Sequence, residues 1–248
     1  MTYSTHSPTI VAFASGKGGV GKTFLATTYA HALAQQGQKV LLFDGDFGLA
    51  NIDIQLGLTP EHDLSEWMNG QKALNQIITH DTQTGLDLIT GRSGYQSLVN
   101  LPIEKLQQIH DDLLLLATHY DNIVLDLGTG LEKSVQLLAQ TALCVFVICT
   151  DEPTSLSDGY AFIKRLLETT SQPDIRIIIN SADSEKEGLR TFETLQKTCS
   201  HFLHFQPILQ GIIRRDTHVK EAIRAQQPLL NLFPDTPAAS DIRKLLEK

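Results

Sequence analysis

Gly16-Lys-Gly-Gly-Val-Gly-Lys-Thr23 is the stretch that decides the fold. It fits the pattern of a glycine, four free positions and then Gly-Lys-Thr. It follows a short apolar, β-branched run at 9–14 (TIVAFA) and precedes a helical stretch from about 21 to 36. Strand, glycine turn and helix form the setting in which this octet wraps phosphate. The glycines let successive backbone N–H groups turn inward without Cβ clashes. The helix N-terminus adds partial positive charge. Nucleotide binding is therefore expected from Gly16, Lys17, Gly18, Gly19, Val20, Gly21, Lys22 and Thr23. Lys22 is placed to reach the β- and γ-phosphates, and the Thr23 hydroxyl to bind Mg²⁺. Lys17 stands apart, because an ordinary phosphate loop needs no lysine at its second position.

Working outward, Gly37 stops the first helix and 39–43 (KVLLF) reads as a second buried strand. Further strands are predicted at 86–90, 122–125, 143–149 and 175–179, with shorter candidates at 202–206 and 210–213. Helical periodicity fills 103–118, 131–141, 157–170 and 184–200, and two more helices are expected near 217–225 and 240–247. Alternating strands and helices with continuous apolar strands imply a mostly parallel sheet covered on both faces. The expected fold is a three-layer α/β P-loop NTPase with about seven or eight strands. It forms a single domain over 9–248, and 1–8 is a disordered tail.

Ligands in such sheets bind at the carboxyl ends of strands, and three polar motifs sit there. Asp44 and Asp46, spaced by two, point to one side of an extended chain and suit Mg²⁺ and water, with one acid acting through the second shell. Asp126 ends the run Ile-Val-Leu-Asp and suits a second role toward Mg²⁺. Asn180 ends a run of isoleucines, and its amide can donate and accept toward adenine at once. Each also has a plainer reading, as a turn-forming aspartate or a strand-closing asparagine.

Lys17-Gly-Gly-Val-Gly-Lys-Thr23 resembles the deviant phosphate loop of the MinD/ParA ATPases. That resemblance implies two subunits sandwiching two ATP molecules. Lys17 would reach the partner's nucleotide and neutralise charge during phosphoryl transfer, as an arginine finger does. It also implies that Asp44 supports Mg²⁺, Asp46 orients the attacking water, Asp126 is the second switch and Asn180 reads adenine. The catalytic set is then Lys17, Lys22 and Asp46, with ATP and Mg²⁺ as ligands. Phe47-Gly-Leu-Ala-Asn-Ile-Asp-Ile-Gln-Leu-Gly57 and Glu152-Pro-Thr-Ser-Leu-Ser-Asp-Gly-Tyr-Ala-Phe-Ile-Lys164 look like the flagellar-number branch, FlhG/FleN. Protein partners in flagellar assembly or regulation follow from that branch. So does a cytoplasmic location, with a peripheral position at the inner membrane face left open.

The chain also departs from the pattern. Asp126-Leu-Gly-Thr-Gly130 replaces the usual Asp-Thr-Pro/Ala-Ala-Gly, and Arg214 stands where a proline commonly flanks the base. Arg214 is therefore a candidate at the adenine wall. Many FlhG proteins carry an N-terminal Asp-Gln-Ala motif, and this chain has none. In the tail, Ile242, Leu245 and Leu246 share one side, which reads more readily as a packed helix than a membrane anchor.

A net charge of −8 disfavours non-specific nucleic-acid binding. The alternative, a ParA-type DNA-partition or cargo-positioning ATPase, would rely on Arg214, Arg215, Lys220 and Arg224. A metabolic ligase or reductase is a third class. Cys144, Cys149 and Cys199 form no CxxC pair, so buried structural cysteines are expected rather than a metal site. No run of about 18 apolar residues is present, and the polar start reads as neither a signal nor a transit peptide.

Overall fold

The computed structural model describes residues 9–91 and 101–247, so the expected tail at 1–8 lies outside the described residues. In chain order the elements are β1 (Thr9–Ser15), α1 (Lys22–Gln35), β2 (Val40–Gly45), α2 (Ile52–Leu56), α3 (Leu64–Met68), β3 (Thr79–Asp81) and β4 (Leu86–Ile89). Then come α4 (Ile103–Ala117), β5 (Asn122–Thr129), α5 (Lys133–Thr141), β6 (Cys144–Cys149), α6 (Pro153–Thr169) and β7 (Asp174–Ala182). The last are α7 (Glu185–Leu203), β8 (Ile208–Arg214), α8 (Thr217–Ala225), α9 (Leu229–Leu232) and α10 (Pro237–Lys244).

The strands form one eight-stranded sheet in the order β3-β4-β2-β5-β1-β6-β7-β8. All neighbouring pairs are parallel except β3 and β4, which form a short antiparallel edge. β1 lies between β5 and β6, so the glycine octet leaves from the middle of the sheet. Asp44 and Asp126 are register partners on β2 and β5.

Alternation along β1 divides the core in two, as the strand's period of two requires. Ile10, Ala12 and Ala14 face the layer built by α4 to α7. Val11 and Phe13 face the layer of α1, α8, α9 and α10. There Phe13, Tyr29 and Phe146 pack edge to face or tilted, with ring centroids 5.2–5.6 Å apart. α1 is buried on nearly every side, packed between the sheet and the neighbouring α2, α9 and α10.

Several sequence expectations change. The strand predicted at 202–206 is absent. α7 continues to Leu203, and His204 ends it in the left-handed region at φ 52. α7 thus takes the first two residues of that run, and the rest lies between α7 and β8. The helix predicted from 157 starts at Pro153, where proline fits the first turn of α6. β3, with three residues, is too short to show alternation. At the C-terminus, Ile242 and Leu245 are buried in the core, which agrees with the packed-helix reading. All three cysteines are buried and free. Among the described residues no helix is long and apolar enough to cross a membrane.

His31 in α1 is 2% exposed, its Nδ1 has no partner among the described residues, and burial pushes its pKa down to about 4. The unfolded chain takes up that proton near pH 6.5, so this contribution is whole above pH 6.5 and lost as pH falls toward 4. His31→Leu is expected to remove it. Denaturant unfolding of the two proteins should show their stability difference changing by roughly 3 kcal/mol between pH 7 and pH 4, in favour of the variant at low pH.

Candidate functional site

The octet closes around a left-handed pair of glycines. Gly19 has φ +78 and Gly21 φ +90, values that L side chains rarely adopt. The loop is pinned from three sides. Ser15 Oγ donates to the Lys17 carbonyl at 2.9 Å. Gly130 N donates to the Ser15 carbonyl at 3.0 Å. Asn180 Nδ2 donates to the Val20 carbonyl at 2.7 Å. A Cβ on Gly16 would overlap the backbone carbonyl of Asp158 in α6, whereas Gly18 and Gly19 face open space. The octet thus lies against α6 and opens on a cleft of about 300 Å³ lined by Gly18, Gly19, Gly21, Lys22, Thr23, Asp46 and Thr129.

Beneath the cleft lies a buried charged group. Lys22 Nζ donates to Asp126 Oδ1 at 2.7 Å, with the side chains 5% and 0% exposed. Asp126 Oδ2 is buried without a hydrogen-bond partner among the described residues. Asp44, also fully buried, accepts from Asn51 N at 3.0 Å, Ile52 N at 3.2 Å and Asp46 N at 3.2 Å. Burial, and after it the facing Asp126, push the Asp44 pKa up to about 8, and burial likewise raises Asp126. Two buried carboxyl groups thus stand beside one buried ammonium, which pairs with Asp126, so ionising both would leave negative charge unmatched, and one Asp126 oxygen has no partner among the described residues. Those donors fit a hard divalent cation held with water, as Mg²⁺ is. The glycine cradle and the start of α1 fit phosphate. Asp46 is half-buried, accepts from Leu49 N at 3.0 Å and reaches both this cleft and a neighbouring one of about 230 Å³.

Lys17 and Arg214 are each paired with an acid outside the cleft lining. Lys17 does not line the cleft. Its ammonium meets the Glu152 carboxylate and donates to Thr154 Oγ1 at 2.9 Å, with the side chain 32% exposed. Arg214 is also outside the cleft. Its guanidinium grips Asp241 in a fork, Nε to Oδ2 at 2.7 Å and Nη2 to Oδ1 at 2.8 Å, tying α10 to β8. Sequence reading missed Glu152, Thr154 and the backbone of Asp158 as supports of the octet. They lie more than 130 residues away, and their only trace was the quoted stretch 152–164.

Residues 11–229 match the CobQ/CobB/MinD/ParA nucleotide binding domain. The chain belongs to this family. It is 33% identical to the antiactivator FleN of Pseudomonas aeruginosa, over 99% of this chain and 87% of that protein. It is 31% identical to the flagellum site-determining protein YlxH of Helicobacter pylori, over 91% of this chain and 76% of that one. The fold is that of the septum site-determining protein MinD complexed with Mg-ADP from Pyrococcus horikoshii, with a TM-score of 0.81 at 24% identity, covering 96% and 94% of the two chains. The chain thus carries a P-loop nucleotide-binding domain of this family.

The glycine environments give a direct contrast. Gly16→Ala must displace the α6 backbone and is expected to lower stability by about 2 kcal/mol or more. Gly18→Ala meets open space and is expected to stay within about 0.5 kcal/mol of wild type. Thermal unfolding without nucleotide measures both.

Proposed function

We propose that the chain is a regulatory switch that dimerises on ATP and resets by hydrolysis. One observation carries this reading. The octet holds two lysines in opposite situations, Lys22 buried over its own phosphate cleft and Lys17 at the surface outside it. A cation outside its own cleft is placed to serve a second molecule's nucleotide. The cleft's rim supports a closing partner, since Leu49 is 70% and Ile223 39% exposed beside it.

In this reading the backbone amides of the octet and Lys22 hold the β- and γ-phosphates, and Thr23, Asp126 and Asp44 hold Mg²⁺, the acids through water. Mg²⁺, when bound, supplies charge neutralisation at the phosphate oxygens. Asp46 orients the attacking water at the mouth of the site. Lys17 leaves Glu152 and Thr154 and stabilises charge on the partner's γ-phosphate. Asn180 serves the base. Arg214, with its fork on Asp241, is given no ligand role.

The names of FleN and YlxH support a role in flagellar number or placement, with partners among the proteins of that process. DNA partitioning is less well supported. Arg214 and Arg215, two of the four basic residues it needs, sit on Asp241 and Asp183.

Lys22→Ala is expected to abolish ATP binding, and Asp46→Ala to accumulate an ATP-bound dimer, because it binds but cannot turn over. Light scattering with and without ATP sizes both. An Asp46→Ala protein that remains monomeric at saturating ATP contradicts the switch.

A further inference from the structure

Thr129 closes β5 at the carboxyl end of the sheet, inside the segment Asp126-Leu-Gly-Thr-Gly130, where a threonine stands in place of the usual alanine. From Phe13 to Ser15 β1 advances two residues, while β5 advances three, from Asp126 to Thr129. β5 therefore bulges just before Thr129, and bulges re-aim side chains. The resulting placement is held firmly. Thr129 is the register partner of Ser15, and the next amide, Gly130 N, donates to the Ser15 carbonyl at 3.0 Å. Ser15 leads directly into the octet, so Thr129 keeps a fixed place beside the phosphate loop.

Thr129 and Asp46 stand close to one another. Gly128 brings them together by having no side chain: a Cβ there would lie 3.7 Å from Asp46 Oδ1 and 3.8 Å from Asp46 Cα. Among the described residues lining the phosphate cleft, Asp46, Leu49 and Thr129 also line the neighbouring cleft of about 230 Å³. They form the wall between the two. Asp46 Oδ1 accepts from Leu49 N at 3.0 Å, whereas neither Asp46 Oδ2 nor the Thr129 hydroxyl has a hydrogen-bond partner among the described residues. The wall therefore offers a carboxylate oxygen and a hydroxyl, both uncommitted, at the edge of the phosphate cleft.

We infer that Thr129 orients the attacking water together with Asp46: its hydroxyl accepts a hydrogen bond from one O–H of the water while the carboxylate accepts from the other. This rests on the ATP-hydrolysing switch proposed above and deepens it. A water held by one acceptor still turns about that bond. Two acceptors fix both O–H bonds and so aim a lone pair at the γ-phosphorus. The Thr129 hydroxyl is also a donor, and its own O–H is left for a γ-phosphate oxygen. In the step itself the water oxygen bonds to the γ-phosphorus as the bond to the β,γ-bridging oxygen breaks, and that electron pair leaves on ADP. One water proton goes to solvent past Asp46, and the other stays on the released phosphate. Thr129 keeps its own proton throughout. A purely structural residue at this strand end would need only the β-branched shape, which valine copies.

Thr129→Val keeps the shape and removes the hydroxyl, and Thr129→Ser keeps the hydroxyl and removes the methyl. Thr129 is exposed, so both substitutions leave the core untouched. ATP turnover at saturating ATP and Mg²⁺, ADP affinity by calorimetry, and size with ATP by light scattering separate the roles. Thr129→Val is expected to lower kcat about tenfold. Its ADP affinity should stay within about twofold of wild type, and its dimerisation on ATP should be unchanged. Thr129→Ser should recover kcat to within about threefold of wild type. A wild-type kcat in Thr129→Val overturns the water-orienting role, as does a Thr129→Ser protein as slow as Thr129→Val. A fall in kcat matched by an equal fall in ADP affinity, or by loss of the ATP dimer, also overturns it, because Thr129 then shapes the site or the interface. A wild-type protein that binds ADP but turns over no ATP at any protein concentration overturns the hydrolytic switch itself.

Discussion

The buried pair of Lys22 and Asp126 is the constraint on which the rest of the site depends. A charge removed from water costs several kcal/mol unless it is matched, and removing one partner of a buried pair leaves the other uncompensated. Lys22 begins α1 and Asp126 lies on β5, so their contact fixes the loop's end against the central strands. Asp44, the register neighbour of Asp126, adds a second buried carboxylate for which no second ammonium is supplied. Ionising both acids would leave a deficit of positive charge under the phosphate cradle. A divalent cation held there would match that charge and favour the ionised acids.

The same carboxylates reach the surface through short paths. Asp44 accepts from the amides of Asn51 and Ile52, and so holds the start of α2 in place. Asp46 accepts from Leu49 N, and Leu49 is among the most exposed apolar side chains described. On the other side, Gly130 at the end of the Asp126 segment donates to Ser15, which in turn binds the Lys17 carbonyl. A change of charge at the buried acids therefore bears on the exposed rim through one or two hydrogen bonds. Such coupling suits a switch whose outer surface depends on nucleotide state. Lys17, resting on Glu152 and Thr154, is the other part of that surface, and α6 becomes its partner within the chain.

Much of this was legible in the sequence because its signals are local. Glycines with positive φ, a lysine and a threonine at fixed spacing, and an acid ending an apolar strand each act through their own backbone, so Gly16 to Thr23, Asp44 and Asp126 could be placed without a structure. What was not legible is what the fold brings together across long separations. Glu152 beneath Lys17, Asp158 against Gly16 and Asn180 against Val20 are joined by the strand order β5-β1-β6-β7 and by no local spacing. Arg214 shows a further long-range pairing: the sequence makes it a candidate at the base, and the fold adds Asp241 on α10, which holds its guanidinium fork. The strand expected at 202–206 is absent, since α7 takes the first two residues of that run and the rest lies between α7 and β8.

The central claim is that turnover needs two subunits, because Lys17 lies outside its own cleft. The most direct measurement is ATP turnover per subunit across a dilution series at saturating ATP and Mg²⁺. The account predicts that turnover per subunit rises with protein concentration until the dimer saturates, and that Lys17→Ala flattens the rise. Turnover per subunit that is constant across the series in a protein shown to be monomeric would contradict it.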